Sequence, residues 1–199
     1  SFVGWLSVEF YRCKIDSPIS ITVRHQTVTS TYGIHYDLKI NSQVEEFFAP
    51  GKVNKIHYFP ANLEKFFPHL KKFYLEGVGL KEIHQSDLKP FTELEYLYLA
   101  SNNLKYLEAD LFEYNPRLVG FAAHFNDISY INPRVFDHLH AMSTLFLTKN
   151  KCKLQRSKEN RSEVEKIIKE AKEKCSDLSK FLNSTISQFL IHEIRSDIE

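Results

Sequence analysis

The sequence predicts an α/β solenoid: a short right-handed arc with a parallel sheet, a β-rich N-terminal cap and a helical C-terminal cap and tail. Three observations carry this. Leu70, Leu94, Leu118 and Met142 open four similar phrases at 24-residue steps: LKKFYLEGVGL (70–80), LEYLYLASNNL (94–104), LVGFAAHFNDI (118–128) and MSTLFLTKNKC (142–152). Self-similarity at a period in the twenties marks stacked units that bury a core only against one another. Within each phrase the fourth and sixth residues are apolar and alternate with outward neighbours, the two-residue period of a strand with one buried face. After residue 152 the apolar spacing changes to three and four, the period of an amphipathic helix.

Taken in order, residues 1–52 lack the repeat and are rich in β-branched and aromatic residues. Strands are expected around 5–14, 19–29 and 33–40, broken near Pro18 and Gly33. Their task is to cover the open edge of the first repeat, whose backbone groups would otherwise pair with other chains. Gln43 to Phe48 reads as a turn before Pro50-Gly51. Residues 53–152 form about five repeats. The first is looser: Val53, Ile56, Tyr58, Ala61 and Leu63 fit, with a step of 17 residues to Leu70. Asn102, Asn126 and Asn150 hold the ninth position of their phrases, where a side-chain amide bonds nearby backbone groups. Ala61 and Val78 replace that asparagine in the first two units. A second apolar set completes the core: Ile83, Leu88 and Phe91; Leu107 and Phe112; Ile131, Phe136 and Leu139. Each such side chain contributes roughly 1.5–3 kcal/mol when buried.

These phrases resemble the leucine-rich repeat family in its 24-residue variety, similar to that of extracellular members. The resemblance covers about residues 53–175. It implies a non-enzymatic binding protein with secreted location and no cofactor. The segment WLSVEFYRCKI (5–15) is similar to the N-terminal cap of short secreted insect members, which implies a role in innate immunity, adhesion or signalling. The resemblance also implies a C-terminal cysteine cap over 153–175, with Cys152 and Cys175 as its disulfide. The alternative is two reduced thiols. Cys13 is then left over. By the same resemblance its partner lies just upstream of Ser1, with an interchain bridge as the alternative. In a secreted protein, the sequons at Asn160 and Asn183 are candidate glycosylation sites.

Helices are expected over 158–174, where Val164, Ile167, Ile168 and Ala171 share a face, and over 176–199. The second carries Leu178, Phe181, Leu182, Ile186, Phe189, Leu190 and Ile194 at helical spacing. Two readings stand open: the tail folds back onto the solenoid, or it pairs with another chain as a homo- or hetero-oligomer.

Composition narrows the chemistry. The formal net charge is +1, which gives no overall bias toward nucleic acid or an anionic membrane. No apolar run reaches the roughly 18 residues of a membrane span. No phosphate loop, HExxH, CxxC or GxSxG motif is present, and the nine histidines lack zinc-ligand spacing. No metal site is expected. The informative surface is the outward side of the sheet, where His57, Phe59, Lys72, Tyr74, Tyr96, Tyr98, His124, Phe125 and Phe146 are expected to bind a protein or other macromolecule. Aromatic side chains with a polar tip suit such interfaces. Cross-strand packing alone, or coverage by a cap or tail, are the other readings of the same row. A self-associating assembly protein and a carrier of a small apolar ligand are the alternative functions.

Overall fold

Six short strands lie side by side, all parallel, in the computed structural model, which describes residues 12–14, 18–29, 41–49, 51, 54–154 and 160–183. They are β1 (Arg12–Lys14), β3 (Glu46–Phe48), β5 (Lys72–Tyr74), β6 (Tyr96–Tyr98), β8 (Gly120–Ala122) and β10 (Thr144–Phe146). Two smaller parallel pairs lie outside this sheet: β2 (Ser20–Ile21) with β4 (Lys55–Ile56), and β7 (Tyr106–Leu107) with β9 (Tyr130–Ile131). The connecting segments are mostly turns, with 3-10 turns at Asn41–Gln43 and Leu63–Lys65, one brief α-helix among the described residues, α1 (Gln85–Leu88), and a closing helix, α2 (Arg161–Lys174).

The register turns sequence period into geometry. Phe73, Leu97, Phe121 and Leu145 pair in succession, each 24 residues after the last. All four are buried, with Leu75, Leu99, Ala123 and Leu147 beside them. The second apolar set from Ile83 to Leu139 is buried opposite. Toward the N-terminal end the core becomes aromatic. The Phe73 ring meets Phe91 edge-on at 4.9 Å and Phe59 at 5.1 Å, while Phe47 lies 5.9 Å away.

The start of the array differs from the expected one. Phe47 pairs with Phe73, so β3 is the strand of the first repeat, and Gln43–Phe48 is not a turn. Val44, Phe47, Ala49, Asn54 and Ile56 then occupy the first, fourth, sixth, ninth and eleventh positions, with two extra residues between strand and asparagine. Those residues displace the phrase that begins at Val53 from the sheet: Ile56 is buried as an eleventh-position residue, not a second-strand one. The tight loop needs glycine at 51, where a Cβ would fall 2.3 Å from the Gly77 carbonyl oxygen. Of the expected N-terminal strands, β1 and β2 and a bridge at Thr27 lie within the described residues. The expected strand at 33–40 lies outside them.

Asparagine side chains tie one turn to the next. Asn102 Oδ1 accepts from the Gly79 and Leu80 amides at 2.9 and 3.0 Å, and Asn102 Nδ2 donates to the Leu75 and Leu99 carbonyls. Asn126 accepts from Leu104 and donates to Leu99 and Ala123, and Asn150 accepts from Ile128 and donates to Ala123 and Leu147. Asn54 belongs to the series, because its Oδ1 accepts from Ile19 in the cap. Val78 is the gap. There the Ile56 amide bonds the Val78 backbone carbonyl at 2.9 Å, so the chain itself replaces the missing side chain.

The C-terminal end is closed by α2. Asn160 caps it by accepting from the Glu163 amide, and Val164, Ile167 and Ala171 are buried. Arg161 donates to the carbonyls of Leu139, His140 and Met142, which satisfies the last turn. Helix resumes at 178–183, and Phe181 rests on Tyr130 and Tyr106 at 5.6 and 5.9 Å. The beginning of the tail thus packs back on the β7–β9 side.

Asn126→Ala leaves the Leu104 amide and two buried carbonyls without their partner. Urea denaturation is expected to show a loss of about 3 kcal/mol, since each unsatisfied buried group costs about 1–3 kcal/mol. A loss under about 0.5 kcal/mol, typical of neutral surface changes, would contradict this role.

Candidate concave interface

Because adjacent strands pair without slip, their outward residues form two rows. One runs Arg12, Glu46, Lys72, Tyr96, Gly120, Thr144; the other runs Lys14, Phe48, Tyr74, Tyr98, Ala122, Phe146. Parallel pairing in register brings equivalent side chains to about 4.8 Å, the strand spacing, so planar rings in one row must stack or turn aside.

They stack. The Tyr74 and Tyr98 rings lie 4.3 Å apart at 8°, and Tyr96 is parallel to Tyr98, with centroids 6.3 Å apart at 2°. Phe48 continues the row at 5.8 Å from Tyr74. The result is a wall of three parallel phenols, half-buried in the sheet face. Burial raises the phenol pKa of Tyr74, Tyr96 and Tyr98 above the ordinary tyrosine value, most strongly at Tyr98, where the Tyr74 neighbour adds to it. The wall is therefore neutral and keeps its protons at physiological pH.

Cations lie against it. Lys72 Nζ stands 4.8 Å from the Tyr96 ring centre, and the Arg12 guanidinium 5.2 Å from that of Phe48. Arg12 also pairs with Glu46 at 2.5 Å. Burial holds the Lys72 ammonium below the usual lysine value. Cation–π contacts of this kind contribute roughly 0.5–1 kcal/mol at exposed sites.

Beyond the wall the face drops. Gly120 has no side chain, and a Cβ there would come within 2.8 Å of Tyr96 Cδ1, so the Tyr96 ring lies against bare backbone. Ala122, Thr144 and Phe146 are buried at the floor. His124 flanks it, edge-on to Phe125 at 5.4 Å and to Phe146 at 6.1 Å.

The structure thus brings Lys72, Tyr74, Tyr96, Tyr98, His124, Phe125 and Phe146 to one side of the solenoid, with Phe125 at its rim. Two expected members are elsewhere. Phe59 is a core residue packed between Phe73 and Phe91. His57 follows Ile56 in the β2–β4 region, where its amide bonds Ile21 and its carbonyl bonds Lys81. A phrase start at Val53 puts both on the sheet face, whereas the first strand begins after Val44. Arg12, Glu46 and Phe48 take their places. The signal for them was Val44-x-x-Phe47-x-Ala49, which matches the first half of the repeat phrase.

The remaining candidate residues fall in other places. Cys152 and Cys175 are buried free thiols in contact, and the hydrogen bond between them draws Cys152 down and pushes Cys175 up, with burial adding to the latter. Cys13 is partly buried at the centre of β1, packed against the core. Asn160 is exposed, its Oδ1 engaged in capping. Asn183 is exposed. Phe181 turns inward, whereas Leu178 and Leu182 are 47% and 46% exposed. Ile186, Phe189, Leu190 and Ile194 lie outside the described residues. Among the described residues, no group of three or more His, Cys, Asp or Glu is arranged to hold a metal, and no helix is long and apolar enough to cross a membrane.

A family model described as leucine rich repeat matches residues 92–152. Among solved structures, the chain is similar in fold to one in the Toll–Spätzle complex from Drosophila, described as a molecular hub in development and innate immunity. That match has a TM-score of 0.50 at 19% identity and covers 55% of this chain but 14% of the other. A chain of the TLR13–ssRNA13 complex matches with a TM-score of 0.49 at 24% identity, over 55% of this chain and 15% of that one. The chain therefore spans only a small part of the structures it resembles. No curated protein matches it by sequence.

The wall has a consequence at alkaline pH. Phenols whose folded pKa lies above the ordinary value of 10.0 contribute stability that is complete below that value and lost as pH rises through the folded one. Phenolate absorbance is expected to show Tyr74, Tyr96 and Tyr98 ionising late and together with unfolding. Tyr98→Phe should remove one late phenol and move the alkaline unfolding midpoint upward. A single titration of all tyrosines near the ordinary value, with the fold intact, would contradict the burial argument.

Proposed function

We propose that this chain, which is built of leucine-rich repeats, is a non-enzymatic binding module that docks a protein on its concave sheet face. The observation that carries the reading is the tyrosine wall. Three parallel rings with their neighbouring cations stand next to a small-residue depression at Gly120 and Ala122. Rings held by strand register lose little entropy on docking, which is what makes tyrosine an efficient interface residue. A protruding partner side chain would enter the depression and pack against the Tyr96–Tyr98 edge. Toll, whose fold this one resembles, is complexed with Spätzle, and a protein partner is proposed here by analogy of fold. Participation in innate immunity or signalling, and a secreted location, are proposed on the same footing.

The tail supports a second reading, self-association. Leu178 and Leu182 are exposed on the segment whose Phe181 is seated, and a second copy would cover them. The concave face is favoured because strand register already holds its rings in place.

The double variant Tyr74→Ala/Tyr98→Ala is expected to remain folded, because a cross-strand aromatic pair contributes only roughly 0.2–1 kcal/mol. It should fail to retain the protein that the unaltered chain captures from its native fluid. Equal capture by both would reject the concave face, and loss of capture on truncation after Cys175 would favour the tail.

For a secreted protein we also propose that Cys152 and Cys175 join, passing two electrons to a thiol–disulfide oxidoreductase and releasing two protons. Closing that loop contributes about 3 kcal/mol by the chain-entropy model. Cys175→Ser should therefore lower stability by a similar amount relative to the oxidised protein. Two reactive thiols in non-reduced, secreted material would overturn the pairing. Glycans at Asn160 and Asn183 are tested by the mass shift on enzymatic deglycosylation of that material.

A further inference from the structure

The eighth position of each repeat is a rim residue with left-handed backbone. Gly77, Ser101, Phe125 and Lys149 follow one another there at φ of 67°, 58°, 55° and 58°. Backbone of this kind suits glycine or asparagine, and a bulky side chain in it is strained. Phe125 nevertheless occupies it, and its ring is 55% exposed. Apart from an edge-on contact with His124 at 5.4 Å, the exposed ring is turned to solvent, and Ser101 fills the equivalent place one turn earlier without either apolar exposure or a large side chain.

Its surroundings are basic. The Phe125 amide bonds the Thr148 carbonyl at 3.1 Å, which sets Lys149 beside Phe125 on the next turn. Lys151 and Lys153 follow, and all three lysines are exposed. Lys151 pairs with Asp127 at 3.4 Å, while Lys149 and Lys153 have no carboxylate partner among the described residues. From 149 to 153 the sequence carries three lysines and no acidic residue, although the chain as a whole is nearly neutral. The rim is thus a local concentration of positive charge around one protruding aromatic ring.

From this we infer a second binding site, at the edge of the concave face: the Phe125–Lys149–Lys153 rim docks on an anionic lipid surface. Charge complementarity selects an anion. The side chains select its form. Lysines on the rim offer mobile point charges and not the planar fork with which arginine grips a single phosphate or carboxylate. Such charges suit a diffuse array of headgroups. A ring that stands out from the surface, and does not line a cleft, suits insertion at the headgroup–acyl boundary beneath the lysines. An acidic protein would satisfy the lysines but would need its own pocket for Phe125.

Flotation of the intact chain with phosphatidylcholine vesicles, with and without phosphatidylglycerol, tests this. Binding is expected only with the anionic lipid and should weaken with salt. Lys149→Gln and Lys153→Gln should each reduce partitioning about fivefold. Phe125→Ser, a residue already accommodated at the equivalent position by Ser101, should reduce it about tenfold, with thermal melting as the check on folding. The site is overturned if none of the three folded variants differs from the unaltered chain, or if neutral vesicles bind equally well. It is also overturned if the chain binds polyglutamate but not anionic vesicles. Tyr74→Ala/Tyr98→Ala should float like the unaltered chain, which separates this site from the concave one.

Discussion

Buried side-chain amides hold this solenoid together. A repeat that turns every few residues leaves N–H and C=O groups inside, where an unmade hydrogen bond is costly. Asn102, Asn126 and Asn150 each answer a donor and at least two acceptors drawn from two adjacent turns. Asn54 extends the same device to the cap. The break at Val78 is instructive. The fold accepts an apolar residue there because the Ile56 amide reaches the Val78 carbonyl directly. What the array requires is satisfaction of the backbone, and asparagine is the usual means.

Once the turns are fixed, the surface follows. In-register parallel strands repeat every side chain at the strand spacing, so a tyrosine at one position constrains its neighbour. Tyr74, Tyr96 and Tyr98 become a stacked, neutral wall, and glycine at 120 accommodates the ring of Tyr96. The same periodicity places Phe125 and Lys149 side by side at the rim in a backbone conformation that neither prefers. One face and one rim, both products of a single repeat length, therefore present different chemistries: aromatic and hydrogen-bonding on the sheet, basic and apolar at the edge.

The ends are managed by separate means. At the C-terminal end α2 covers the last turn, the Arg161 guanidinium takes up three carbonyls, and the Cys152 and Cys175 thiols meet beneath it. The Ile131 amide bonds the Cys175 carbonyl at 2.9 Å, so the end of α2 is joined to β9 as well. Phe181 then anchors the following segment on Tyr130 and Tyr106. At the other end the phenylalanine cluster around Phe73 supplies bulk where the repeat is irregular.

Sequence alone determined the solenoid, its buried leucines and the outward aspect of Lys72, Tyr74, Tyr96 and Tyr98. These depend only on a period of 24 and an alternation of two, and both are written along the chain. It did not determine where the array begins. The two extra residues around Pro50-Gly51 break the spacing while leaving the hydrogen-bond pattern intact, so Asn54 and β3 were recognisable only from their partners Ile19 and Phe73. For that reason His57 and Phe59 belong to other faces than the period suggested. The stacking of the tyrosines, the contact of the two thiols and the strained exposure of Phe125 were likewise decided by tertiary structure. Each depends on what an adjacent turn brings alongside, a distance in space that no local pattern of residues encodes.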